Sequence, residues 1–240
     1  DVAPSRGLGD VYKRQIYNYL KNHYGAAPAE EYIMEKLRVL FQGDSITDMD
    51  RDRSNIRNMG NGYPLFVASN FRADNPKFDI DFFDLGISGN RVSDLRDRWQ
   101  TDCLDLHPDV LSVLIGINDT WRKYDSNLPS EFGEFESIYR SLLEDARREN
   151  PDIKIIIMEP FVLHVSEERA SWREDLDPRI QAVRRVAKDY ADAFIPLDGL
   201  LNAAAIDTCP EQWAPDGVHP SPDGAALIAR YWLEAFDKIL

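Results

Sequence analysis

Residues 37–45 read LRVLFQGDS, an aliphatic and aromatic run that breaks at Gln42-Gly43 into the polar pair Asp44-Ser45. Near-continuous apolar runs of this length suit a strand buried on both faces, the habit of parallel sheets. Four further runs follow: Phe78–Leu85, Val110–Ile115, Ile153–Met158 and Ala193–Leu197. Between them, Pro64–Phe71, Val92–Trp99, Phe132–Glu149 and Pro178–Tyr190 space apolar residues three or four apart, the period of an amphipathic helix. A last stretch, Asp223–Ile239, lines Ala226, Ile228, Tyr231, Trp232, Ala235, Phe236 and Ile239 along one broad face. Strand and helix in alternation predict a doubly wound α/β sandwich with right-handed crossovers. In such a sheet ligands bind beyond the carboxyl ends of the strands, where strand order reverses.

Composition narrows the partners. The 240 residues include 28 Lys+Arg against 42 Asp+Glu, a net charge of −14. Nucleic acid and anionic membrane surfaces need a basic face, so neither is expected as a partner. No apolar run approaches the roughly 18–20 residues of a membrane helix. Two cysteines, Cys103 and Cys209, are too few for a disulfide scaffold or a cysteine-only zinc site, and read as buried thiols. Metal and cofactor motifs are missing: there is no H-E-x-x-H, P-loop or dinucleotide fingerprint, and neither metal nor cofactor is expected. Asp48-Met49-Asp50-Arg51-Asp52-Arg53, with arginines interleaved, reads as a solvated loop and not as a calcium loop. The first methionine is Met34, and residues 1–33 read as a leader or N-terminal extension, Ile16–His23 being its candidate helix. Residues 34–240 then form the domain. No secretion signal is visible, which favours a cytoplasmic protein and leaves secretion open.

Three of the five runs end in Gly-containing polar segments that meet at one rim: Gly43-Asp44-Ser45-Ile46-Thr47, Gly86-Ile87-Ser88-Gly89 and Gly116-Ile117-Asn118-Asp119. Ser45 can present a hydroxyl there; the alternative is that Asp44, Ser45 or Thr47 caps a helix. A serine nucleophile needs a base. His107 precedes the third run at the opposite rim, and His23 lies in the leader. His164, after the fourth run, is a candidate substrate contact. His219 has Asp216 three residues earlier, close enough to orient its imidazole and leave Nε2 to take a serine proton. A self-capped turn is the alternative for that segment. Gly89 can offer a backbone N–H, Asn118 a side-chain amide and Ser45 its own N–H to a developing oxyanion.

Gly43-Asp44-Ser45-Ile46, Gly89 in Ile87-Ser88-Gly89-Asn90, Gly116-Ile117-Asn118-Asp119 and Asp216-Gly217-Val218-His219-Pro220 together resemble the four sequence blocks of the SGNH hydrolases, or GDSL esterases/lipases. The resemblance runs from about Leu37 to the carboxyl terminus, with Ile46 where the family name has leucine. It implies a three-layer α/β/α sandwich with a five-stranded parallel sheet, of flavodoxin-like form. It also implies Ser45 as nucleophile, His219 and Asp216 as its partners, and Ser45, Gly89 and Asn118 as oxyanion donors. Asp44 is a further candidate for substrate contact.

The substrate is read from the rim. The segment Asp48–Tyr63 is polar, and Trp121, Arg122 and Tyr124 follow Asn118. A rim tryptophan suits stacking on a sugar ring, and Trp121 and Trp213 are candidates, with packing beneath a helix as the alternative. The expectation is an esterase removing short acyl groups, acetyl foremost, from a small-molecule or oligosaccharide ester. A lysophospholipase- or thioesterase-type enzyme for longer chains is the runner-up, and a non-catalytic carbohydrate-binding protein comes third.

Overall fold

The computed structural model describes residues 36–240. The leader assigned to residues 1–33, with its candidate helix, lies outside the described residues. Five strands form one parallel sheet: β1 (Leu37–Gly43), β2 (Ile80–Asp84), β3 (Val110–Leu114), β4 (Lys154–Met158) and β5 (Ala193–Ile195). The helices are α1 (Ser45–Asp48), α2 (Tyr63–Asp74), α3 (Val92–Asp102), α4 (Ile117–Asp125) and α5 (Phe132–Glu149). They continue as α6 (Glu167–Ser171), α7 (Arg173–Tyr190), α8 (Leu197–Ala204), α9 (Pro210–Trp213) and α10 (Pro222–Phe236).

Spatial order is β2-β1-β3-β4-β5. The chain steps from β1 outward to β2, returns past β1 to β3, and continues to β5. Strand order therefore reverses between β1 and β3, which opens the ligand crevice at their carboxyl ends. Gly43 pairs with Leu114 in that register, so the segments after the two strands leave side by side.

Period-two alternation sorts the buried residues onto two faces. Val39, Phe41, Ile156 and Met158 face the side covered by α2 and α10. Leu40, Leu111, Val113, Ile155 and Ile157 face α3, α5 and the later part of α7. This is the three-layer α/β/α sandwich that the resemblance implied. Ser112, a polar residue inside β3, accepts a hydrogen bond from Trp232 Nε1 of α10 at 2.9 Å, which satisfies both buried groups.

Several boundaries differ from the sequence expectations. The fifth strand stops at Ile195, because Pro196 has no N–H to continue a ladder and Leu197 opens a helix. The helix expected from Pro178 begins at Arg173, with Pro178 inside it. Pro178 and its i−4 residue Glu174 are both exposed, so water can serve the carbonyl that the proline cannot. Cys103 is buried as expected, whereas Cys209 is exposed. The stretch Asp48–Arg53 is not simply solvated, since Asp48 and Arg51 are buried. Among the described residues no helix is long and apolar enough to cross a membrane, and no group of three or more His, Cys, Asp or Glu side chains is placed to hold a metal.

Candidate active site

Ser45 is the first residue of α1, immediately beyond β1. Asp44 is the N-cap: its Oδ1 accepts the Ile46 N–H at 3.0 Å. The Ser45 N–H belongs to the opening turn, whose donors have no partner within the helix. Ser45 Oγ lies 2.8 Å from His219 Nε2, although 174 residues separate the two in the chain. On the other side of the ring, His219 Nδ1 lies 2.7 Å from Asp216 Oδ2. A carboxylate only accepts, so the proton of neutral His219 sits on Nδ1 and Nε2 is left to accept from the serine. Asp216 Oδ1 accepts the backbone N–H groups of Val218 at 2.9 Å and His219 at 2.7 Å. Two bonds thus tie serine, imidazole and carboxylate into one chain, and two backbone bonds fix the carboxylate. Gly217 makes the tight turn possible, with φ at +84° and the Leu163 carbonyl where a Cβ would stand.

The possible oxyanion donors come from the neighbouring strand ends. Gly89 follows β2 with φ at +85°, a conformation that costs a side-chain-bearing residue about 1–2 kcal/mol. Its loop is pinned from below: Asp48 Oδ2 accepts both the Ser88 N–H at 2.9 Å and the Ser88 hydroxyl at 2.8 Å. Arg53 also bonds that carboxylate oxygen. Arg51, buried beside Asp48 and Asp84, donates from Nε to the Gly86 carbonyl at 2.9 Å. Asn118, in the first turn of α4, donates one amide hydrogen to the Asn90 carbonyl at 3.1 Å. That bond fixes the amide and leaves its second hydrogen for a ligand.

Charge follows the same arrangement. The hydrogen bond to Asp216 raises the His219 imidazole above its ordinary value of 6.5 against the opposing effect of burial. The charges of Asp216 and Asp44 raise it further, and that of Arg169 lowers it. Burial works against the Asp216 carboxylate, but its bonds to the His219 ring and to two backbone N–H groups hold it well below the usual range. Asp44 is fully buried, and burial pushes its carboxyl up to about 7. Burial likewise pushes Asp119 up to about 6, against the nearby Arg179.

The remaining candidates fall in different places. Asp44 has no exposed surface to offer a substrate, because the cap turns its carboxyl inward. Trp121 is half-buried beside the histidine, its ring 5.7 Å from His219 and 5.0 Å from Trp172. Trp213 is partly buried on α9 and donates to Thr208 Oγ1 at 2.8 Å. His164 is exposed and accepts from Arg173 Nε at 3.4 Å. Sequence reading overlooked Asp48, Asn90 and Arg169. Asn90 adjoins Gly89 and could have been suspected from that position; Arg169, inside the charged run Glu167-Glu168-Arg169, gave no local signal.

The chain is similar to known proteins over most of its length. The model of the GDSL-like Lipase/Acylhydrolase family matches residues 41–227. An acetylxylan esterase of Geobacillus stearothermophilus is 35% identical over 205 residues, covering 82% of this chain and 92% of that protein. A solved structure of the Geobacillus acetylxylan esterase superposes with a TM-score of 0.76 at 33% identity, covering 85% of this chain and 94% of that one. Catalytic mutants of that enzyme have also been solved, in which a serine, a histidine or an aspartate is replaced by alanine. A GDSL-like lipase structure from Parabacteroides merdae superposes with a TM-score of 0.80 at 34% identity, covering 85% of this chain and 96% of that one. The chain is a carboxylic ester hydrolase and belongs to the GDSL-like lipase/acylhydrolase family.

Proposed function

We propose that the protein is a serine esterase that removes short acyl groups, acetyl foremost, from carbohydrate. The observation that carries the mechanism is the unbroken relay from Ser45 Oγ through His219 to Asp216, at 2.8 and 2.7 Å. Ser45 Oγ attacks the ester carbonyl as Nε2 of His219 takes its proton, and Asp216 stabilises the imidazolium that forms. The Ser45 and Gly89 N–H groups and the Asn118 amide receive the oxyanion. The alcohol leaves with the proton from His219, giving an acyl-Ser45, and water reverses the steps to release the acid. Supplying donors fixed before the reaction is worth roughly 10²–10³ in kcat for each one.

The carbohydrate acetyl reading is supported by the acetylxylan esterase relative and by the half-buried Trp121, whose ring lies 5.7 Å from that of His219. Its test is a substrate panel. Acetylated xylo-oligosaccharides should be deacetylated, and kcat/KM on p-nitrophenyl esters should fall from acetate to butyrate to octanoate. A profile rising toward octanoate would reject the short-chain reading, since each methylene buried in an apolar channel adds about 0.8 kcal/mol. An organophosphonate should label Ser45 and no other serine.

A further inference from the structure

The loop that carries the acid and the base is held from outside the relay by one cation. Arg169 of α6 donates from Nε to the Asp216 carbonyl at 2.8 Å. Its stem packs on Gly217, since a Cβ there would meet Arg169 Cγ at 3.2 Å. Its guanidinium lies over the rings of Trp172, at 4.0 Å, and Trp121, at 4.7 Å. Trp121 in turn stands 5.7 Å from the His219 ring. The side chain is only 13% exposed, whereas its ion-pair partner Glu168 is 68% exposed and shielded by water. The cation is thus enclosed between aromatic rings and bonded to the backbone of the residue that orients the base.

We propose that Arg169 is a positioning residue for the hydrolysis, clamping the Asp216–His219 loop and countering the negative field on the imidazole. This rests on His219 being the base. Among the charged groups that act on that ring are Asp216 from its own loop, Asp44 from the end of β1, and Arg169 from α6. Asp216, and Asp44 once it ionises, favour the imidazolium, which cannot accept a serine proton. Arg169 opposes them from a site too enclosed for full screening by salt. Its planar fork makes the backbone bond and the stacking together, which an ammonium cannot reproduce.

The test compares R169M and R169K with the parent protein. In R169M the cation is lost, so the acid limb of kcat/KM should move up by about half a pH unit or more. Loss of the clamp should lower kcat about tenfold or more, with KM within a few-fold. In R169K the charge stays and the clamp goes: the acid limb should stay near the parent's while kcat remains depressed. Imidazole titration by NMR, with the His219 signal assigned from H219Q, reads the same shift without turnover. An unchanged His219 titration in R169M, or a loss confined to KM, overturns the proposal. If R169M does not fold, a parental kcat in R169K overturns it. Failure of the underlying mechanism would appear separately, as undiminished turnover by S45A or H219A.

Discussion

Replacing Asp44 by Asn tests the electrostatics of the nucleophile's own turn. The Asp44 carboxyl is fully buried, its Oδ1 caps α1, and its Oδ2 has no hydrogen-bond partner in the protein. Burial raises it from 3.8 to about 7. A carboxyl raised on folding contributes stability that is fully present below pH 3.8 and is lost as pH rises through about 7. By pH 8 the loss amounts to about 4 kcal/mol, and at pH 4.5 only about 1. Asparagine keeps the capping oxygen and never ionises, but its amide hydrogens enter the place of Oδ2 and cost about 1–3 kcal/mol if unpaired. D44N should therefore gain stability relative to the parent as pH rises, by about 3 kcal/mol between pH 4.5 and 8. At about 2–4 °C per kcal/mol for a chain of this size, the difference in Tm should swing by roughly 6–12 °C. Thermal unfolding by circular dichroism at pH 4.5, 6 and 8 measures it. An equal Tm difference at all three values would refute the argument, because it would mean that Asp44 titrates alike in folded and unfolded chains.

Three other perturbations follow from the site. N118A should lower kcat by roughly 10²–10³ with KM within a few-fold, since the amide acts on charge that develops only in the transition state; steady-state kinetics on p-nitrophenyl acetate decides it. Below the raised pKa of His219, kcat/KM should fall about tenfold per pH unit, so half-maximal activity lies above pH 6.5. The stability that His219 contributes runs the other way, present below 6.5 and lost as pH rises through the folded value, so a pH–Tm series should oppose the pH–rate profile on that limb. D48A removes the acceptor of two Ser88 bonds and strips the buried Arg51 of a nearby carboxylate. It should cost about 3 kcal/mol, measured by urea unfolding, and lower kcat by loosening the Gly89 loop.

Legibility in the sequence followed the range of the interactions. The buried strands announced themselves because both faces of β1, β3 and β4 are apolar, and the rim followed because glycines mark the points where the chain turns. Asp216 and His219 were readable for the same local reason, three residues apart on one turn. Arg169 could not be read this way. Its role depends on Trp121, Trp172 and Asp216 meeting around it, and none of them is a sequence neighbour within helical reach except Trp172. Asp48 and Arg51 were misread because alternating charges usually mean solvent, whereas here they are enclosed with Asp84 beneath the Gly86–Gly89 loop. The short helix α4 was missed since its polar first turn, with Asn118 and Asp119, breaks the apolar spacing.

The 174-residue separation of Ser45 and His219 bears on how the protein comes into being. During synthesis the nucleophile emerges early, on strands that can pair with one another. The base arrives only with the final segment, just ahead of α10, whose Trp232 bonds Ser112 of β3. A chain released early therefore carries an exposed serine with no general base, and cannot attack esters while it is incomplete. Contacts of such long span are also the slowest to close. On refolding, hydrolysis should therefore return only once this late segment has met the early strands, and not with the first helical structure.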